Sequence, residues 1–297
     1  MPYQSLLDYK SHARTFKVKG TGEEFELAWW QTPFEESKPT ILFIHGFPSA
    51  SWNWHYQWQA LKNDYNLVAM DMLGYGISDK PAPYGYKLAE QAQFFAQLLE
   101  SLNIKRCHVL AHDYGDSVAQ ELLYLVEEQR TSFDFQSVTF LNGGLFSEAH
   151  RPLLTQKLMK GRLGPFISRF LKQSSLQTSF ERIFGPHSQP SKQDIEILWH
   201  FLEYKQGTRA MPYILKYLEE RKQRRADWVK TMQTTEIPMY FINGAYDPIS
   251  GEHMRVRFTE LLPESRTTSL NVGHYPQIEA PDEVLTHFRA FIETAVA

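Results

Sequence analysis

The sequence predicts an α/β protein, a mostly parallel sheet flanked by helices and interrupted by one long helical insertion. Three observations carry this reading. Short apolar runs alternate with segments of helical periodicity, the pattern of strands buried on both faces. The runs stop at loops rich in glycine, proline or histidine. From about Leu145 to Thr235 the chain is helical in pattern, aromatic and patchily basic, with no convincing strand.

Arg14–Lys19 and Glu24–Trp30 read as strands joined by a turn at Gly20–Gly22. Thr40–Ile44 is a buried strand entering His45-Gly46-Phe47-Pro48, and an aromatic-rich helix follows over Asn53–Lys62. Asn66–Met70 is the next strand and runs into a glycine-punctuated loop at Asp71–Gly76. Lys87–Leu102 carries apolar residues at helical spacing, Arg106–Ala111 is strand-like, and Tyr114–Gln129 is helical. Ser137–Leu141 is a strand. After the insertion come a strand at Met239–Ile242, a helix near Glu252–Leu262, a strand at Thr267–Val272 and a closing helix from Pro281. The expected division is a core of residues 1–144 and 236–297 with a helical lid at 145–235. No internal repeat or low-complexity segment is present.

A chain of 297 residues suits an α/β domain with a sizeable insertion. Its 42% hydrophobic and 22% charged residues are ordinary for a protein with a real core, and a net charge of −3 gives no reason to expect nucleic acid. Cys107 is the only cysteine, which excludes an intrachain disulfide and a thiolate metal cluster. Met1–Lys10 lacks the apolar core of a signal peptide, and no apolar run approaches the ~20 residues of a membrane span. A cytoplasmic location is expected, with a small apolar substrate as partner and no metal or organic cofactor.

Cys107–Ser117 carries the chemistry. A buried strand runs through His112-Asp113 into a helix at Tyr114-Gly115, the context of a nucleophile elbow. Small residues are required two places either side of the nucleophile, and Ala111 and Gly115 supply them around Asp113. The N–H groups of Phe47 and Tyr114 are the expected oxyanion-hole donors. Downstream, Asp247 follows one strand and His274 follows the last, giving the order nucleophile, acid, histidine at strand ends, where open α/β sheets bind ligands. Each residue also has a plainer reading. Asp113 could be a helix N-cap, Asp247 a turn initiator before Pro248, and His274 part of a Gly-His turn. Their order and shared context favour a catalytic set.

These motifs resemble the α/β-hydrolase superfamily over nearly the whole chain, and so imply the α/β-hydrolase fold. His45-Gly46-Phe47-Pro48 and His112-Asp113-Tyr114-Gly115 are similar to the motifs of its epoxide hydrolase and dehalogenase branch, whose nucleophile is aspartate. Gly74-Tyr75-Gly76-Ile77-Ser78 resembles the superfamily's loop after its fourth strand. More narrowly, Asp113–Asp116 with Val118–Glu121, Asn142-Gly143-Gly144 and His150–Leu154 look like the mesoderm-specific transcript family, a resemblance that supplies no substrate. Tyr114 and Phe47 stand where haloalkane dehalogenases place a halide-binding Trp and an Asn or Glu, and where haloacetate dehalogenases place an Arg after the nucleophile this chain again has Tyr114. Asp116 occupies a place usually held by a small residue, where it could pair with a base or cap the helix.

The resemblance implies attack by Asp113 on saturated carbon, an alkyl-enzyme ester, and its hydrolysis by water activated by His274 with Asp247 behind it. Epoxide hydrolysis to a diol is the leading expectation. Dehalogenation of small haloalkanes or haloacids is the alternative, and a non-catalytic ligand-binding protein is the rival from outside enzymes. Epoxide opening calls for a lid tyrosine as acid. The lid offers Tyr204, Tyr213 and Tyr217, of which Tyr213 and Tyr217, four apart, are expected to share a helix face. Trp199 and Trp228 are either pocket or core residues, and Arg221–Arg225 reads as a solvated basic face.

Overall fold

Strands that are apolar along their whole length must be covered on both faces, and this dictates the layering. The computed structural model describes residues 5–295, so 1–4 and 296–297 of the expected core span, and the start of the polar N-terminal segment, lie outside it. The strands β1 (Arg14–Lys19), β2 (Glu24–Gln31), β3 (Thr40–Ile44), β4 (Asn66–Met70), β5 (Arg106–His112), β6 (Asp134–Leu141), β7 (Met239–Gly244) and β8 (Arg266–Leu270) form one sheet. Their order is β1-β2-β4-β3-β5-β6-β7-β8. From β4 to β8 all neighbours are parallel, while β2 runs antiparallel to β1 and β4. Every residue of β3, β4 and β7 is buried, whereas the edge strands β1 and β8 are largely open.

Helix α1 (Leu6–Ser11) precedes the sheet. A 3-10 turn at Ser51–Trp54 leads into α2 (His55–Leu61), followed by α3 (Leu88–Ser101) and α4 (Tyr114–Glu127). Between β6 and β7 lie α5 (Leu154–Lys160), α6 (Gly164–Ile167), α7 (Gln173–Ile183), α8 (Lys192–Glu203), α9 (Met211–Ile214) and α10 (Tyr217–Thr234), with no strand. The chain closes with α11 (Glu252–Leu261), α12 (Pro276–Glu279) and α13 (Pro281–Ala295). Side chains alternate across the sheet. Leu42 and Val109 pack with Leu98 of α3 and Leu122 of α4, while Ile41 and Leu110 share the other face with Trp58 of α2 and Phe288 of α13. No helix among the described residues is long and apolar enough to cross a membrane.

The insert is tied to the core by polar groups as well as packing. Helix α10 lies along α4: Arg224 pairs with Glu121 at 3.0 Å, and Trp228 donates to the same carboxylate at 2.7 Å. The expected solvated basic face is therefore corrected. Lys222 is exposed, but Arg221 is buried and Arg225 pairs with Glu148. Trp228 belongs to the core. Tyr213 and Tyr217 do not share one helix either, because the chain turns at Leu215–Lys216 between α9 and α10.

Candidate active site

Between the end of β5 and the start of α4 stands a single residue, Asp113, with φ 52° and ψ −107°. A non-glycine residue in such a conformation costs about 1–3 kcal/mol and persists only where its surroundings hold it. Gly115 is needed because the elbow packs tightly: a Cβ there would lie 2.4 Å from the carbonyl oxygen of Ile44. An N-capping aspartate would accept a bond from the first turn of the helix, and Asp113 accepts none. Instead its Oδ2 accepts the main-chain N–H of Phe47 at 3.0 Å. The N–H of Tyr114 is the first of α4, where no helical carbonyl is available to it.

His274 follows β8. Its main-chain N–H donates to Ile183 of α7 at 2.8 Å, and its carbonyl accepts from His112 Nε2 at 2.8 Å. Those two bonds aim the ring. Nδ1 donates to Asp247 Oδ2 at 2.7 Å, and Nε2 lies 3.9 Å from Asp113 Oδ1. Asp247 both forms a turn and reaches His274. Its Oδ1 accepts the N–H of Ile249, forming the turn, while Oδ2 also accepts from Asn142 Nδ2 at 3.0 Å and from Ser250.

Burial alone would depress the pKa of His274, but the carboxylates of Asp247 and then Asp113 outweigh it and hold the imidazolium up to about 9. Burial pushes Asp247 upward, and the charge and bond of His274, with the Asn142 bond, bring it down to about 2. Each group thus favours the charged form of the other.

A cavity of about 140 Å³ opens over Asp113 and His274, walled by Phe47, Phe180, Trp199 and Met211 among other mostly apolar side chains. An apolar space of roughly 150 Å³ holds a molecule the size of benzene. Of the three candidate tyrosines, none borders this cavity. Tyr204 sits among the amines of Lys10, Lys80 and Lys205, and Tyr213 is half-buried beneath Lys216. Neither touches Asp113 through a hydrogen bond, and Tyr213 stands on a separate short helix from Tyr217. Tyr217 is different. It is buried edge-on against Tyr114 with its hydroxyl unpartnered, and after burial the charge of Asp113 is what most raises its pKa.

Several site residues escaped the sequence reading. Asn142, at positive φ beyond β6, and Ser250 hold Asp247; the Asn-Gly-Gly run after a strand was the available signal for the first. Tyr275 donates to the carbonyl of Phe47 at 3.2 Å and stacks on Phe180 and Phe184. Asp116 neither pairs with a base nor caps α4. It is wholly buried, and Leu141 and Gly143 lie near enough to favour its charged form without completing a hydrogen bond. Burial, then the charge of Asp113, push its carboxyl well above the usual range despite Arg221 nearby. Arg221 donates to Ser117 Oγ at 2.9 Å and lies over the ring of Tyr217. No group of His, Cys, Asp and Glu among the described residues could hold a metal ion.

Comparison with known proteins agrees with this architecture. A family described as alpha/beta hydrolase fold matches residues 39–130. Epoxide hydrolase 4 of Mus musculus is 35% identical over 104 residues, 35% of this chain and 28% of that protein. The haloalkane dehalogenase DbeA of Bradyrhizobium elkani superposes with a TM-score of 0.76 at 16% identity, covering 95% of this chain and 98% of that one, a likeness of fold. The mesoderm-specific transcript homolog protein of Bos taurus is 35% identical over 300 residues, 98% of this chain and 88% of that protein. With that identity sustained from end to end, the chain belongs to the mesoderm-specific transcript family, within the proteins of α/β-hydrolase fold.

Proposed function

We propose that this protein hydrolyses small apolar epoxides to diols through an ester formed on Asp113, under a lid made by the helical insert. The observation that carries the reading is the Asp113 carboxylate itself. It stands on a strained elbow at the floor of an apolar cavity, with a main-chain donor on one oxygen and His274 beside the other. A carboxylate held this way is an oxygen nucleophile facing a site with little water to compete.

In the first step an Asp113 oxygen bonds to an epoxide carbon and the carbon–oxygen bond of the ring breaks. The alkoxide takes a proton, which we assign to Tyr217 rather than Tyr213 or Tyr204. Ester formation removes the negative charge of Asp113, which with Asp247 and Glu279 keeps His274 protonated. Its pKa falls, its proton passes through solvent to the Tyr217 phenolate, and the neutral imidazole can serve as a base. His274 then takes a proton from water as the water oxygen attacks the ester carbonyl carbon. The oxyanion is held by the N–H groups of Phe47 and Tyr114 until the diol leaves.

A second reading has one observation in its favour. The indole of Trp199 lines the cavity and no tyrosine does, which suits a departing halide better than an alkoxide. A single turnover with enzyme in excess, run in heavy-oxygen water, tests the covalent route common to both readings. Product should emerge largely unlabelled while Asp113 gains the label. Label appearing fully in the first product would mean direct attack by water. Diol from styrene oxide, set against halide from a haloalkane, separates the two substrates.

A further inference from the structure

Half of the large apolar side chains exposed among the described residues, five of ten, fall in one short stretch of the insert. They are Leu154 and Leu158 on α5, Leu163, Phe166 on α6, and Phe170. Leu154 and Leu158 are one helical turn apart and face the same way. The rings of Phe166 and Phe170 touch, with centroids 5.0 Å apart, and α5 packs on α6. The side chains therefore form a patch rather than scattered points, and such a patch on a monomer surface marks a place of contact.

The charge around it is one-sided. Residues 151–172 contain six lysines and arginines, and between Glu148 and Glu181 there is no carboxylate side chain, in a chain whose net charge is −3. Lys160 pairs with Glu219, but Arg151, Lys157, Arg162, Arg169 and Lys172 join no salt bridge among the described residues. Apolar side chains with unpaired cations around them are the signature of a helix surface that lies in the interface of an anionic bilayer. The same segment borders the cavity: Gln156 and Met159 of α5, and Leu171 and Lys172 just past Phe170, line it.

We infer that the α5–α6 face of the insert docks on anionic lipid surfaces, seating the cavity mouth against the bilayer so that apolar substrate passes from lipid to site. The docking is peripheral. It does not depend on aspartate chemistry at the site, and its test does not read catalysis.

The experiment is vesicle co-sedimentation with the full chain, using phosphatidylcholine alone and phosphatidylcholine mixed with phosphatidylserine. Two paired variants accompany wild type, Phe166→Ser with Phe170→Ser and Arg162→Glu with Arg169→Glu. All four positions are outside the cavity lining, and unchanged melting temperatures verify folding. Wild type should bind the mixed vesicles, more weakly as salt rises, and each variant should bind at least about tenfold less. No binding by wild type at low salt, or variants that bind as wild type does, would overturn the inference. So would a concentration-dependent dimer of wild type, abolished by the phenylalanine pair, in a protein that ignores vesicles; the patch would then belong to a second copy of the chain.

Discussion

Nδ1 of His274 lies 2.7 Å from Oδ2 of Asp247, both groups fully enclosed, and each holds the other in its charged form, the carboxylate down to pH of about 2 and the imidazolium up to about 9. His274 carries an ordinary pKa of 6.5 when unfolded and about 9 when folded. Its stabilisation is therefore complete below pH 6.5 and is lost as pH rises through 9. Asp247, lowered from 3.8 to about 2, contributes above pH 3.8 and loses its contribution as pH falls through 2. Melting temperature followed against pH should show wild type losing its advantage over His274→Gln between pH 6.5 and 9. The difference between the two proteins is the proper readout, because buried Lys80, lowered to about 7, tilts both in the opposite direction over that range. A constant difference would mean that the fold does not hold His274 in its charged form in this way.

The same His274→Gln variant should stall after the first chemical step. Nucleophilic attack by Asp113 calls for no base, whereas ester hydrolysis does, and loss of general base catalysis costs about 10²–10⁴-fold. Intact-protein mass spectrometry after a reactive epoxide should show an adduct that persists in the variant and decays in wild type. Bound substrate with no adduct would argue for a non-covalent route.

Tyr217→Phe removes one oxygen from a buried side chain. If that hydroxyl protonates the departing alkoxide, epoxide turnover should fall by roughly 10²-fold or more. Tyr213→Phe, altering a ring beneath Lys216 outside the cavity, should leave turnover nearly unchanged. Equal effects of the two changes would undo the assignment. Halide release from a haloalkane, which needs no proton, should survive in both.

Asp116→Asn should stabilise the protein. The folded state raises this carboxyl well above its ordinary value, so at neutral pH it penalises folding. The isosteric amide carries no such charge. A rise in melting temperature of roughly 2–4 °C is expected near neutrality, the shift that about 1 kcal/mol gives in a sizeable domain. The gain should vanish under acid conditions, where the carboxyl is protonated in both states. A drop in melting temperature at neutral pH would show that Arg221 needs the negative charge.

What could be read from the chain depended on how local its cause was. Thr40–Ile44 and Asn66–Met70 are read to the residue because strands enclosed on both faces are apolar from end to end. The last strand was placed too far along, since β8 is an open edge whose Thr-Thr-Ser stretch carries no such signal. The short helices α1 and α12 left no periodicity long enough to see. Asp113, Asp247 and His274 were legible because each sits in a strand-end motif of its own, and the sheet brings strand ends together. The tyrosines were not. The separate placing of Tyr213 and Tyr217 comes from the break at Leu215–Lys216, and the interior position of Arg221 from its partner Ser117 on another helix. Both are facts of packing between distant segments.

The left-handed backbone at Asp113 sets a limit on how this protein can be improved. A glycine there would adopt φ 52° without the steric penalty an aspartate bears, so Asp113→Gly can gain stability while discarding the carboxylate to which we assign nucleophilic attack. Heat-challenge screens that reward only soluble survivors will then drift toward this inert substitution. Engineering for robustness must select on turnover at every round, and must seek its gains far from the elbow.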